Sequence, residues 1–244
     1  MLGTSALFPP LSAMIVFVIA AVVVPLTAFV ERRRMRETLN ALDGHTRPPF
    51  YRHQAILLLV LGGLGLLPVF LGHARPEDLG YTAPASARFF IVCLLVAAVW
   101  LALRRAVDRF AASPGFPRAF VRIAPPHLRA MTPHNKAEQK AWGNLCLGAG
   151  LGEETLYRGF MVWFLTPAIG VPGGIVGGAA FFAMAHGYQG IRFAGIVFLA
   201  GLAFGGLYVF AGSLLPVIAL HTLYDWEMGR LYLAYNRSGE TGEE

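Results

Sequence analysis

The chain alternates long apolar runs with polar links, two of them rich in arginine, and this alternation limits its fold more than any other feature of the sequence. An apolar run of about 20 residues can cross a bilayer as a helix, which satisfies all of its own backbone hydrogen bonds there. Seven such runs predict transmembrane helices, at residues 11–30, 55–71, 89–103, 141–165, 168–186, 191–211 and 214–235. We therefore expect an all-α, polytopic membrane bundle.

Composition and charge support an integral membrane protein: 56% of the residues are hydrophobic and 14% are charged. The formal net charge of +6 does not indicate a nucleic-acid partner, because the basic residues lie in the links between apolar runs. Six arginines between residues 31 and 52 mark a cytoplasmic link, since loops on that side of a membrane are enriched in Lys and Arg. The N-terminus is then expected outside and the C-terminus in the cytoplasm. The membrane is expected to be a bacterial or archaeal cytoplasmic membrane.

One long polar link, residues 104–140, carries eight Lys/Arg and five prolines. We interpret it as a cytoplasmic loop on anionic head groups, and a docking site for substrate is the alternative. Phe110, Phe116 and Phe120 stand among its arginines, so part of it is expected to be an interfacial helix. The chain then divides into a three-span scaffold at 1–140, a four-span catalytic core at 141–236 and a disordered tail at 237–244.

Ionisable residues inside the predicted spans fall almost entirely in the last four. With one exception, those expected to be buried are Glu153, Glu154, Arg158, His186, His221, Asp225 and Glu227, whereas Arg192 and Arg230 in the same spans are expected to be interface anchors. A charge at the centre of a membrane helix costs roughly 2.5–3.5 kcal/mol, so such residues usually have a function. Glu227 is the exception that we expect to be solvated, because it lies close to the predicted cytoplasmic end of its helix.

Helical geometry separates the two adjacent acids. Glu154 and Arg158 are four residues apart, so they share a helix face and are predicted to form an ion pair. Glu153 lies about 140° away from Arg158 around the helix, at roughly 100° per residue. We therefore interpret Glu154 as a neutralised structural acid and Glu153 as the free carboxylate available for acid–base chemistry.

Three motifs stand in the last four spans: EExxxR at Glu153–Arg158, FxxxH at Phe182–His186 and HxxxD at His221–Asp225. Together they resemble the CPBP family of intramembrane endopeptidases, which groups the CAAX prenyl proteases with bacterial relatives linked to bacteriocin processing and immunity. The resemblance covers about residues 144–227. It implies that Glu153 activates water with His186, while His221 and Asp225 hold the oxyanion. Many relatives have Asn in place of Asp225, and because an acid donates only when protonated, Asp225 could instead orient His221.

The same side chains leave two further possibilities open. Glu153, His186 and His221 could bind zinc, because two histidines and a glutamate plus water form a known hydrolytic set. We favour a metal-free, glutamate-type enzyme without a cofactor. Phe182, Glu154 and Arg158 would support such a site structurally.

Buried Glu, His and Asp also form proton relays in transporters, and a non-catalytic immunity or scaffold protein could retain the motifs. The order of the three motifs favours the protease. Its partner would be a membrane-anchored protein or peptide substrate within the bilayer: a prenylated C-terminus, a leader peptide or a sorting tail.

Overall fold

The computed structural model of the protein describes residues 9–112 and 125–240, and these form helices without any strand. The α-helices are α1 Leu11–Val18, α2 Val24–Val30, α3 Arg32–Asn40, α4 Arg47–Gly65, α5 Leu67–Phe70, α6 Ala87–Ala112, α7 Pro126–Ala130, α8 Lys136–Glu154, α9 Met161–Ala185, α10 Ile191–Ala211 and α11 Leu215–Glu240. π-Helical segments at Ile19–Val23 and Thr155–Phe160 join α1 to α2 and α8 to α9. The predicted all-α fold class is confirmed.

Four helical stretches among the described residues are long and apolar enough to cross a membrane. They are Leu11–Val30, Ala87–Ala111, Lys136–Ala185 and Ile191–Ala211. The third is 50 residues long and contains two of the predicted spans. Helices α4 and α11 occupy the positions of the predicted second and seventh spans but are not among the four, since both carry several polar or charged side chains. The total of seven spans stays a prediction.

The 50-residue stretch turns back on itself at Gly170. This residue has φ 71° and ψ 168°, a backbone conformation that glycine adopts without a steric penalty. The two arms then pack closely through small residues. A Cβ added at Gly174 would lie 3.1 Å from the Val162 carbonyl oxygen, and one at Gly178 would lie 2.7 Å from that of Tyr157. The glycine repeat that follows Gly170 is therefore a helix-packing face.

The register of this hairpin places Glu153 and His186 at the same level. Tyr157 on one arm contacts Phe182 on the other, with ring centroids 5.2 Å apart. Glu153 and His186 each lie one helical turn further from the hairpin tip. In the predicted spans 141–165 and 168–186, Glu153 stands near the middle and His186 at one end, and the hairpin brings both to the same depth.

Helix α8 lies between α4 and α11, and glycines allow the three backbones to approach. A Cβ at Gly152 would clash with the Leu58 carbonyl oxygen of α4, and one at Gly150 would lie 2.9 Å from the Ile218 carbonyl oxygen of α11. Membrane helices commonly use small residues for such contacts. The close approach of α11 brings His221 next to Glu153.

The predicted polar link at 104–140 is partly helical in the structure. Helix α6 continues past residue 103 to Ala112, with Val107 buried and Asp108 bonded to Arg230 of α11 at 2.5 Å. The charged residues of this segment can continue a helix, because one of its faces packs on α11. Residues 113–124, on which most of the predicted interfacial helix falls, lie outside the described residues, as do residues 241–244 of the predicted tail.

The prediction that Glu227 is solvated is wrong. Its side chain is fully buried between α6 and α11. One carboxylate oxygen accepts a hydrogen bond from Arg230 Nη1 at 2.6 Å, and the other accepts one from Trp100 Nε1 at 3.2 Å. Trp100 of α6 thus covers the Glu227 carboxylate, and Asp108 from the extension of α6 binds its partner Arg230, two contacts between helices that the apolar pattern did not indicate.

Candidate active site

Glu153 lies in the last turn of α8, between two imidazole rings. Its Oε1 atom is 3.8 Å from Nε2 of His186, and its Oε2 atom is 3.6 Å from Nε2 of His221. The side chain is 13% exposed. The structure thus brings together the three residues that the sequence motifs placed on three different helices.

His186 immediately follows the C-terminal end of α9. Its Nδ1 atom lies 2.8 Å from the carbonyl oxygen of Phe182, one turn earlier. A carbonyl oxygen can only accept, so Nδ1 carries a hydrogen and Nε2 is the atom directed at Glu153. The Phe182 ring packs edge-on against the imidazole with centroids 4.5 Å apart. The FxxxH spacing therefore fixes the orientation of His186.

His221 is oriented by Glu154. Its Nδ1 atom lies 2.7 Å from Glu154 Oε1, while Nε2 faces Glu153. Sequence reasoning missed this contact because it assigned Glu154 to Arg158 alone. A carboxylate has about four acceptor positions, so a fully buried Glu154 has capacity for a second donor. This free acceptor position was the feature from which the contact with His221 could have been predicted.

The predicted ion pair between Glu154 and Arg158 is present. Arg158 Nη1 donates to Glu154 Oε1 at 2.9 Å. The Arg158 side chain is 1% exposed and that of Glu154 is 0% exposed. The guanidinium also lies over the Phe182 ring at 4.2 Å and over the Phe204 ring at 5.5 Å. Phe182 therefore packs against both the ion pair and His186. Arg158 stands in the π-helical segment Thr155–Phe160, and such local irregularities often occur at functional sites.

Asp225 lies one turn beyond His221 on α11, at the more open side of the site. Its Oδ2 atom is 3.5 Å from His221 Nε2, and its side chain is 29% exposed. The Asp225 main-chain carbonyl accepts a hydrogen bond from Trp142 Nε1 at 2.9 Å, which ties this turn of α11 to α8. Nε2 of His221 thus faces two carboxylates, those of Glu153 and Asp225.

The donor set also bears on the zinc alternative. Both histidines direct Nε2 toward Glu153 and bind a second partner through Nδ1, an arrangement found for proton-transfer histidines and for metal-ligating ones. Within residues 9–112 and 125–240, no group of three or more His, Cys, Asp and Glu side chains is placed to hold a metal ion.

Comparison with known proteins agrees with the motifs. Residues 140–226 match the family model described as "Type II CAAX prenyl endopeptidase Rce1-like". No curated protein and no solved structure matches the chain. The matched segment contains all three motifs and every side chain of the site described above, whereas α1–α7 lie outside it. Residues 140–226 thus form an Rce1-like domain, and this match supports a CAAX (CPBP) family intramembrane protease.

Proposed function

We propose that the protein hydrolyses a peptide bond near the C-terminus of a prenylated, membrane-anchored protein or peptide, with Glu153 as the residue that activates water. The observation that carries this proposal is the position of the Glu153 carboxylate between two oriented imidazoles at the end of a membrane helix. The prenylated substrate class rests on the family that residues 140–226 match.

The distance between Glu153 and His186 suits a bridging water. At 3.8 Å, Oε1 and Nε2 are too far apart for a direct hydrogen bond, but a water oxygen can lie about 2.8 Å from both. The carboxylate takes one proton from this water, while the hydrogen that stays on the water oxygen donates a hydrogen bond to the Nε2 lone pair of His186. The water oxygen then bonds to the scissile carbonyl carbon, whose C=O π electrons move onto the oxygen to form the oxyanion.

His221 stabilises the negative charge of the oxyanion in this mechanism. As an imidazolium, it donates from Nε2 to the oxyanion while Glu154 accepts from Nδ1 and compensates the positive charge. Preorganised donors of this kind are often the largest contribution to acyl-transfer catalysis. Collapse of the intermediate breaks the C–N bond, and the proton held by Glu153 passes to the leaving nitrogen. The products are a carboxylic acid, which then ionises by losing its proton to water, and an amine.

The test uses purified protein reconstituted in liposomes and a fluorogenic peptide that ends in S-farnesyl-cysteine and three further residues. Wild-type protein should release the C-terminal tripeptide, and Glu153→Gln should not. Glu77→Gln is the matched control, because Glu77 lies in the short 3₁₀-helix Pro76–Leu79, far along the chain from the motifs, and should retain wild-type turnover. Full turnover by Glu153→Gln would contradict the role of Glu153. Cleavage of unprenylated leader peptides alone would contradict the substrate class.

A further inference from the structure

We propose that the Tyr188 hydroxyl is an additional hydrogen-bond donor to the scissile carbonyl oxygen, an inference that rests on the endopeptidase function proposed above. Tyr188 belongs to the 3₁₀-helical turn Gly187–Gln189 that directly follows His186. Its ring stacks on the His186 imidazole, with centroids 6.3 Å apart and an interplanar angle of 26°. The turn therefore holds a phenol beside a histidine of the site.

The hydrogen bond from Gln189 leaves the phenol hydrogen available. Gln189 Nε2 donates to Tyr188 Oη at 3.2 Å, and a hydroxyl that accepts this bond keeps its own hydrogen. Across the described parts of the chain, no protein acceptor lies within hydrogen-bonding distance of that hydrogen. A phenol is protonated at neutral pH, so the Tyr188 hydroxyl can donate.

The main chain of this turn is held by the N-terminal part of the protein. Arg36 of α3 donates from Nε to the Tyr188 carbonyl oxygen at 2.9 Å. Gly190, with φ 104°, then redirects the chain into α10. Arg36 lies outside the segment that matches the family model, so the scaffold region contributes to the position of Tyr188.

The proposed reaction needs a hydrogen-bond donor of this kind. The oxyanion formed during hydrolysis requires hydrogen-bond donors placed in advance. His221 provides one from Nε2, but its other close neighbour there is Asp225, which cannot donate when it is ionised. The Tyr188 hydroxyl adds a neutral donor that does not depend on the protonation of an acid.

The experiment measures kcat and KM on the farnesylated fluorogenic peptide in liposomes. Tyr188→Phe removes only the hydroxyl and should lower kcat on the order of 10²-fold, as loss of one oxyanion donor does, with little change in KM. Tyr224→Phe is the matched control, because that ring is 48% exposed on α11 and should keep wild-type kcat.

Two further variants separate donation from a merely structural role. Asp225→Asn supplies a neutral amide donor. The double variant Tyr188→Phe/Asp225→Asn should therefore have a kcat at least tenfold higher than that of Tyr188→Phe alone. Arg36→Met should lower kcat by releasing the turn, whereas Arg33→Met, on an exposed position of the same helix, should not. Wild-type kcat in Tyr188→Phe, or a loss that Asp225→Asn does not repair, overturns the proposal. Cleavage by Glu153→Gln in the same assay would instead overturn the underlying function.

Discussion

Replacing Glu154 with Gln should destabilise the protein, whereas the same change at Glu153 should not. Glu154 Oε1 accepts from Arg158 at 2.9 Å and from His221 at 2.7 Å, and both Glu154 and Arg158 are fully buried. Removing one partner of a buried ion pair leaves an uncompensated charge and costs about 3–5 kcal/mol. Gln keeps an acceptor oxygen, so we expect the lower end, about 3 kcal/mol.

The assay is thermal unfolding of the purified variants in detergent. In chains of about this length, 1 kcal/mol shifts Tm by roughly 2–4 °C, so Glu154→Gln should lower Tm by about 6–12 °C. Glu153→Gln should keep the wild-type Tm, because Glu153 lies 3.6 Å or more from both histidines and, among the described residues, forms no ion pair with arginine. This contrast tests the different roles assigned to two adjacent and chemically identical residues.

A double variant examines the cause of the loss. Glu154→Gln combined with Arg158→Met removes both charges and should recover most of the lost stability, since apolar replacement of a buried pair is often neutral. An unchanged Tm in Glu154→Gln, or a double variant that melts as low as the single one, would refute the view that the unpaired guanidinium causes the instability.

Other predictions concern topology, metal dependence and packing. Lys136 lies in the link predicted to be cytoplasmic, so Lys136→Cys, in a background without Cys93 and Cys146, should not react with an impermeant thiol reagent applied outside. Labelling from outside would show that the orientation is opposite to the predicted one. Chelators should leave turnover intact and elemental analysis should find no stoichiometric metal, whereas zinc that restores lost activity would establish the metalloenzyme. Gly152→Ala should lower Tm because its Cβ meets the α4 backbone, whereas Gly63→Ala, with open space around it, should not.

Local geometry explains what could be predicted from the sequence. The pairing of Glu154 with Arg158 follows from their four-residue spacing on one helix. The bond from His186 to the Phe182 carbonyl is likewise a contact across one turn. The all-α class follows from the length of the apolar runs. Each of these features depends on neighbours within the same segment.

Contacts between helices explain what could not be predicted. The hydrogen bond between Glu154 and His221 depends on how closely α11 approaches α8, which glycine packing decides. Glu227 is buried because α6 packs on α11, with Trp100 and Arg230 binding its carboxylate. Arg36 reaches the turn at Tyr188 across most of the chain. No periodicity or motif spacing encodes these distances.

The central claim is that Glu153 drives peptide hydrolysis within the membrane. The most direct test is mass spectrometry of membrane peptides from cells that express either the wild-type protein or Glu153→Gln at equal, folded levels. The account predicts new C-termini on membrane-anchored substrates in wild-type cells, with the complementary intact peptides accumulating in the Glu153→Gln cells. Identical peptide populations in the two membranes, or the same cleavage products with Glu153→Gln, would contradict it.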